Sequence, residues 1–276
     1  MPFMSASPAL PSDLLARVKT GVPLAGALIL LLIYLPPFGI GLLVVAIALL
    51  GVWEYSGMLS GTSSPVPFAA LATAVVLMSA GTLFAGMNGL TAALFASLLL
   101  WIGWSLLSQP VKSLEGLAGF GVGALGLLWI VWSLQHFTLI ASRPSGIPEL
   151  FFVLLVVSFS DIFAYFGGKQ FGRIPLAPTV SPKKTWEGSG CGLAGAGLVG
   201  LLCAGAFMSI AWHEALILGI LTAAVGQVGD LVESKMKRLC AVKDSGSLLP
   251  GHGGILDRAD GHLLAAPAFY YLTFWL

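Results

Sequence analysis

Apolar runs of roughly twenty residues, broken by Gly, Pro and small clusters of charge, recur along the whole of this 276-residue chain. A helix of about 20 apolar residues crosses the ~30 Å hydrocarbon core of a bilayer. Hydrophobic residues make up 57% of the sequence, charged ones only 9%, and mean hydropathy is +0.95. A soluble domain carries about 25% charged residues. A membrane barrel would instead show alternating segments of about ten residues. The chain therefore reads as an all-α, polytopic helical membrane protein.

Spans are expected near 20–35, 38–58, 66–86, 89–107, 117–138, 149–168, 188–210, 214–234 and 259–276, about nine in all. The first two are parted only by Pro36-Pro37 and read as two spans or one broken element. Residues 1–13 carry no basic residue, and Arg17 and Lys19 stand just before the first run. A cleavable signal would begin with its positive region and end at a small-residue site, so a retained first span is expected. Cys191, Cys203 and Cys240 have no metal-ligand spacing and read as packed thiols.

Basic residues in short loops set orientation. With the N-terminus in the cytoplasm, Arg17, Lys19, Lys112, Lys169, Arg173, Lys183, Lys184, Lys235, Lys237, Arg238, Lys243 and Arg258 fall on the cytoplasmic side, and only Arg143 on the other. Twelve against one also supports an odd number of spans. Two cytoplasmic loops result, Lys169–Glu187 and the stretch that begins at Ser234. Residues 1–140 read as a helical scaffold with a possible dimer contact, and 141–276 as the catalytic helices with both loops.

Ser234 to Asp260 gathers five of the 13 basic residues and Asp244, Asp257 and Asp260 into 27 positions. Asp161 lies about 10 Å inside its span and Asp230 about one turn inside its own, at ~1.5 Å per residue. An aspartate within a span costs ~2.5–3.5 kcal/mol on insertion scales. Each could be an interhelical hydrogen-bond partner, but a ligand facing a wet cavity is the stronger reading. Glu233 and Lys237, at i and i+4, read as a solvated face. Asp257 fits an N-cap and Asp260 a first-turn acid, and the same helix start beside Arg258 would suit a phosphate. The glycines around His252 let backbone N–H groups approach a phosphate. Hard oxygen donors beside phosphate-binding groups suit Mg²⁺, which takes such ligands and shares them with phosphates. No His/Cys cluster suggests zinc, and no nucleophile is paired with a base. A basic anchor for acidic headgroups explains the lysines but not the acids. Gly188-x-x-x-Gly192 and the glycines after it read as close helix packing.

Ser234-x-Met236-Lys237-Arg238, Lys243-Asp244-x-Gly246, Pro250-x-His252-Gly253-Gly254 and Asp257-Arg258-x-Asp260 together resemble the signature of the phosphatidate cytidylyltransferases, the CDP-diacylglycerol synthases. The run SPKKTWEG at 181–188 and Asp161-x-x-Ala164-Tyr165 carry the likeness upstream, over roughly the C-terminal 40% of the chain. Ala259 and the Gly261-His262 pair depart from the family pattern, though not at a charged position. The resemblance implies a reaction, CTP plus phosphatidate giving CDP-diacylglycerol and pyrophosphate. It also implies Mg²⁺ with a possible second cation, a cytoplasm-facing polar cavity in the inner membrane, and a homodimer. On that reading Asp230, Asp257, Asp161 and Asp260 surround the metal. Lys237, Arg238, Lys243, Asp244, His252 and Arg258 form the catalytic set, and Tyr165, Ser181, Lys183, Lys184, Thr185, Gly253 and Gly254 the substrate-binding set. The expected partners are CTP, phosphatidate, the bilayer and a second copy of the chain, with no nucleic acid. A CTP-dependent kinase of a polyprenol or other lipid alcohol is the nearest rival, and a transporter is third, weakened by the absence of related halves.

Overall fold

The computed structural model describes residues 23, 26–108, 114–249 and 253–276, with the side chains of 114–116 left aside. Helix α1, described over 26–34, stops at the Pro36-Pro37 pair. Pro36 has the extended backbone (ψ 162°) that a following proline imposes, and Pro37 opens α2 (Pro37–Leu59). The first two apolar runs are thus separate helices.

The next element, α3 (Phe68–Ser108), is helical throughout except at Gly86, where φ is +56°. Only glycine adopts that conformation without penalty. A Cβ on Gly81 would meet the carbonyl of Gly89, and one on Gly89 the carbonyl of Gly81. Eight residues of straight helix would hold those backbones ~12 Å apart. The two arms of α3 therefore fold back on each other at Gly86. Next come α4 (Leu114–Gly126), a π-helical segment (Leu127–Trp132) and α5 (Ser133–Ala141) in one continuous run.

The second half holds α6 (Gly146–Phe171), α7 (Trp186–Ala206), α8 (Trp212–Leu239) and α9 (Leu256–Leu272). Each packs on the next, and α6 also meets α8 and α9. The glycines of α7 permit the close approach. A Cβ on Gly188 would lie 2.8 Å from the carbonyl of Ala164 in α6, and one on Gly192 would lie 2.9 Å from that of Ser160. Between α6 and α7 the basic loop folds into an antiparallel hairpin, β1 (Pro175–Ala177) with β2 (Ser181–Thr185).

Among the described residues six helical stretches are long and apolar enough to cross a membrane: α2, α3 taken as one run despite its fold at Gly86, the α4–α5 run from Leu117, α6, α7 and α8. The described part of α1 and the 17 residues of α9 are shorter. The protein is an all-α, multi-pass membrane bundle, but the expected nine crossings are not what these helices establish. All three cysteines are free.

The two ends of the bundle differ in chemistry. At one end Arg143 bonds Glu149 at 2.9 Å and the Thr273 hydroxyl at 2.9 Å, and stacks 4.1 Å from the Tyr270 ring. The other end carries the hairpin, the end of α8 and the start of α9.

Candidate active site

Residues one and two turns apart on α6 share a face. There they are Asp161, Ala164, Tyr165, Gly168 and Lys169, and all five line a cavity of about 590 Å³. Leu176, Lys183, Lys184 and Thr185 of the hairpin close one side of it. Gly188 and Ser189 of α7, Gln227 and Asp230 of α8, and Asp257 and Asp260 of α9 complete the wall. The volume lies within the ~300–1,000 Å³ range of small-molecule sites.

The hairpin is held over the cavity by α8. Lys184 pairs with Asp230, their side chains 30% and 23% exposed. Arg238 donates to the Val180 carbonyl at 3.4 Å. Thr185 ends the hairpin and caps α7, its hydroxyl accepting from Gly188 N at 3.1 Å. Deeper in, the Gln227 amide donates to Ser160 Oγ at 3.2 Å and to the Ser189 carbonyl at 3.3 Å, while the Ser189 hydroxyl donates to Gln227. Among the described residues, neither the Thr185 nor the Ser189 hydroxyl is hydrogen-bonded to a carboxylate or an imidazole.

Behind the cavity lies a second charged group. Lys237 is bonded at 2.6 Å to Glu233 and at 2.6 Å to Asp257. Glu233 has a fully buried side chain, and those of Lys237 and Asp257 are 13% and 5% exposed. The i,i+4 pair expected on a solvated face is thus an internal clamp, because Asp257 arrives at the same ammonium. Asp257 also accepts from Ser245 N at 2.9 Å, Ser245 Oγ at 3.0 Å and Gly254 N at 2.7 Å. Burial would raise its carboxyl, but the bonds from Lys237, Gly254 N and Ser245 N hold it below the usual carboxylate range.

Asp257 is not the N-cap expected of it, since α9 begins one residue earlier. The start of α9 is filled from α2. Glu54, only 2% exposed, accepts from Ile255 N at 2.8 Å, Leu256 N at 2.9 Å and Ser245 Oγ at 3.1 Å. The amides expected to receive a phosphate at this helix start are therefore bonded to the protein's own carboxylates.

Of the residues singled out from sequence, Asp161, Tyr165, Lys183, Lys184, Thr185, Asp230, Asp257 and Asp260 meet at the cavity. Ser181, Lys237, Arg238, Lys243, Asp244, Gly253, Gly254 and Arg258 are not in its wall. Lys243, Asp244 and Arg258 are exposed. Arg258, like Lys184, interacts electrostatically with Asp161. Gly253 has φ +83° and bridges to Leu249, whose N donates to its carbonyl at 2.9 Å. His252 lies outside the described residues. Sequence reasoning missed Glu54, Gln227 and Ser189. Glu54 had the signal of Asp161, an acid inside an apolar run.

Asp161 has no hydrogen-bond or ion-pair partner among the described residues. Asp260 Oδ1 accepts only from the adjacent Gly261 N, at 2.8 Å. Among the described residues no three His, Cys, Asp or Glu side chains close on one point as a protein-only metal cage would. Mg²⁺ usually takes one or two carboxylates and completes its shell with waters and substrate phosphates. Asp161, Asp230 and Asp260, all oxygen donors on one cavity, fit a cation shared in that way. Asp257, already accepting from four donors, fits it less well.

The fold and the cavity define a multi-pass helical membrane protein with an acid- and lysine-lined site at one end. Residues 15–276 match the model of the cytidylyltransferase family, and the chain belongs to that family. A phosphatidate cytidylyltransferase of Bacillus subtilis is 33% identical over 271 residues, 94% of this chain and 97% of that protein. One of Pseudomonas aeruginosa is 37% identical over 233 residues, 81% of this chain and 83% of that protein. One of Brucella abortus is 44% identical over 156 residues, and that match spans only 57% of the relative's length.

Proposed function

We propose that the protein transfers the cytidylyl group of CTP to phosphatidate, giving CDP-diacylglycerol and pyrophosphate in phospholipid biosynthesis. The observation that carries this reading is the meeting of Asp161, Asp230, Lys183 and Lys184 on one cavity at the basic end of the bundle, in a chain of the cytidylyltransferase family. The same activity is the printed name of its relatives in Bacillus subtilis and Pseudomonas aeruginosa.

The chemistry suits these residues. Phosphatidate is a phosphate monoester with a second pKa of about 6, so its oxygen is largely ionised at neutral pH. That oxygen forms the new bond to the α-phosphorus of CTP, and the α–β bridging bond breaks to release pyrophosphate. No protein base is required. What the protein must provide is placement and charge neutralisation. Lys183 and Lys184 act on the phosphates, and Asp161, Asp230 and Asp260 would hold Mg²⁺, which when bound neutralises triphosphate charge. Tyr165, 65% exposed, belongs to the wall that the lipid approaches.

The lysines and arginines at the hairpin, the end of α8 and the start of α9 put that end in the cytoplasm of a cell whose inner membrane holds the bundle, with Arg143 at the far end. The N-terminus is cytoplasmic too, and the protein works as a homodimer.

The test is incubation of purified protein with phosphatidate vesicles, Mg²⁺ and CTP labelled at either the α- or the γ-phosphorus. Label from the α-position in the lipid supports the transfer. Label from the γ-position would mean a CTP-dependent lipid kinase, and no lipid label would remove both.

A further inference from the structure

Glu54 sits five residues from the end of α2, in a helix otherwise apolar but for two residues of its last turns, and it touches nothing in the cavity. Its carboxylate nonetheless takes three hydrogen bonds, all from one short segment 191–202 residues later: the Ser245 hydroxyl, Ile255 N and Leu256 N. The loop is shaped around it. A Cβ on Gly246 would lie 2.7 Å from Glu54 Oε1, and one on Gly254 would meet both Ser245 Oγ and Glu54 Oε2.

The segment that Glu54 grips also carries two carboxylates of the cavity wall. Asp257 and Asp260 stand on the first turns of α9, whose leading amides end on Glu54. Ser245 joins the two systems, its hydroxyl 3.1 Å from Glu54 and 3.0 Å from Asp257. A hydroxyl has one proton to donate, so Ser245 serves Glu54 and Asp257 by turns and ties their positions together. A carboxylate in an apolar helix is costly unless fully bonded, and here the bonding is spent on the α8–α9 loop.

We infer that Glu54 is a positioning residue for the transfer reaction, fixing the α8–α9 loop and the start of α9 so that Asp257 and Asp260 are presented to the cavity. The inference rests on the proposed function for its kinetic part and on geometry alone for its structural part. Misplacement of reacting groups by about 1 Å can lower turnover ~10²-fold. Glu54→Ala removes every acceptor. Glu54→Gln keeps one carbonyl oxygen with two lone pairs and so retains part of the grip.

The experiment compares wild type, Glu54→Gln, Glu54→Ala and Ser245→Ala, each purified in detergent. Amide exchange is measured over peptides covering 245–256, with α6 and α7 as internal controls, together with kcat and KM for CTP and phosphatidate. Exchange across 245–256 should rise in Glu54→Ala, less in Glu54→Gln, and stay unchanged in α6 and α7. The kcat should fall ~10²-fold in Glu54→Ala and less in Glu54→Gln, with both KM values within about twofold of wild type. Unchanged exchange at 245–256 overturns the clamp, whatever the enzyme does. Raised exchange with wild-type kcat, or a loss carried by KM, overturns the positioning role. If Glu54→Ala does not accumulate in membranes, Glu54→Gln and Ser245→Ala carry the same comparison. A wild type that leaves phosphatidate unchanged refutes the proposed function, while the exchange data still decide the clamp.

Discussion

Lys184 of the hairpin and Asp230 of α8, 46 residues apart, form an ion pair in the wall of the cavity. Both groups keep some exposure, so the pair is a weak element of stability, worth at most about 1 kcal/mol. It is a stronger element of organisation, because it ties the hairpin to α8 and sets a cation beside a carboxylate in the cavity wall.

Lys184→Ala should therefore leave the melting temperature in detergent nearly unchanged while lowering turnover by ~10²-fold. Initial rates with α-labelled CTP, measured beside a thermal melt, check both halves. A variant with wild-type rate would remove Lys184 from the site.

Asp230→Asn and Asp161→Asn should each lower kcat by at least ~10²-fold, with normal insertion and folding. Asp257→Asn should be equally inactive. It should also lose stability, since the carboxamide keeps only one of the two oxygens that accept from Lys237 on one side and from Ser245 and Gly254 N on the other. Near-wild-type rates for Asp230→Asn and Asp161→Asn at ordinary Mg²⁺ would overturn the ligand assignment.

Lys237→Met strands the buried Glu233 and Asp257 carboxylates together. Breaking such a buried pair costs about 3–5 kcal/mol. Arg238→Met, one residue on but exposed and bonded only to the Val180 carbonyl, should change stability by no more than about 0.5 kcal/mol. Parallel unfolding measurements on the two variants in detergent decide whether Lys237 is an internal clamp.

Chelation of divalent cations should abolish turnover, and added Mg²⁺ should restore it. Persistence of lipid labelling in excess chelator would show that Asp161, Asp230 and Asp260 serve substrate without a metal.

Much of the site could be read from the sequence because charge is rare in this chain and therefore conspicuous. Asp161 and Asp230 stood out as acids inside apolar runs, and Lys183 and Lys184 as a basic pair, and all four meet at the cavity. Glu54 carried the same signal as Asp161, yet two of its partners are backbone amides and the third is a serine, none marked by residue type. Glu233 and Lys237 show a different limit. The i,i+4 spacing is identical for a solvated pair and for a clamp, and only the arrival of Asp257 distinguishes them. The hairpin hid for a related reason, its strands being three and five residues long with a bulge between pairings. The division of α3 was visible in the apolar runs on either side of Gly86, whereas the number of helices that cross depends on lengths that Gly and Pro punctuation places only to within a few residues.

The grip of Glu54 on the start of α9 also has a history in time. A ribosome delivers α2 to the membrane 202 residues before Leu256, the most distant of the groups that Glu54 bonds. Through that interval the carboxylate must stay hydrated at the bilayer surface or be covered by another molecule, because nothing already synthesised supplies the donors it ends on. At the opposite end Arg143 has Glu149 six residues on, but its bond to Thr273 waits 130 residues. Both polar closures are thus completed by α9 and the residues just after it, which makes the arrival of α9 the step that locks the two ends of the described bundle.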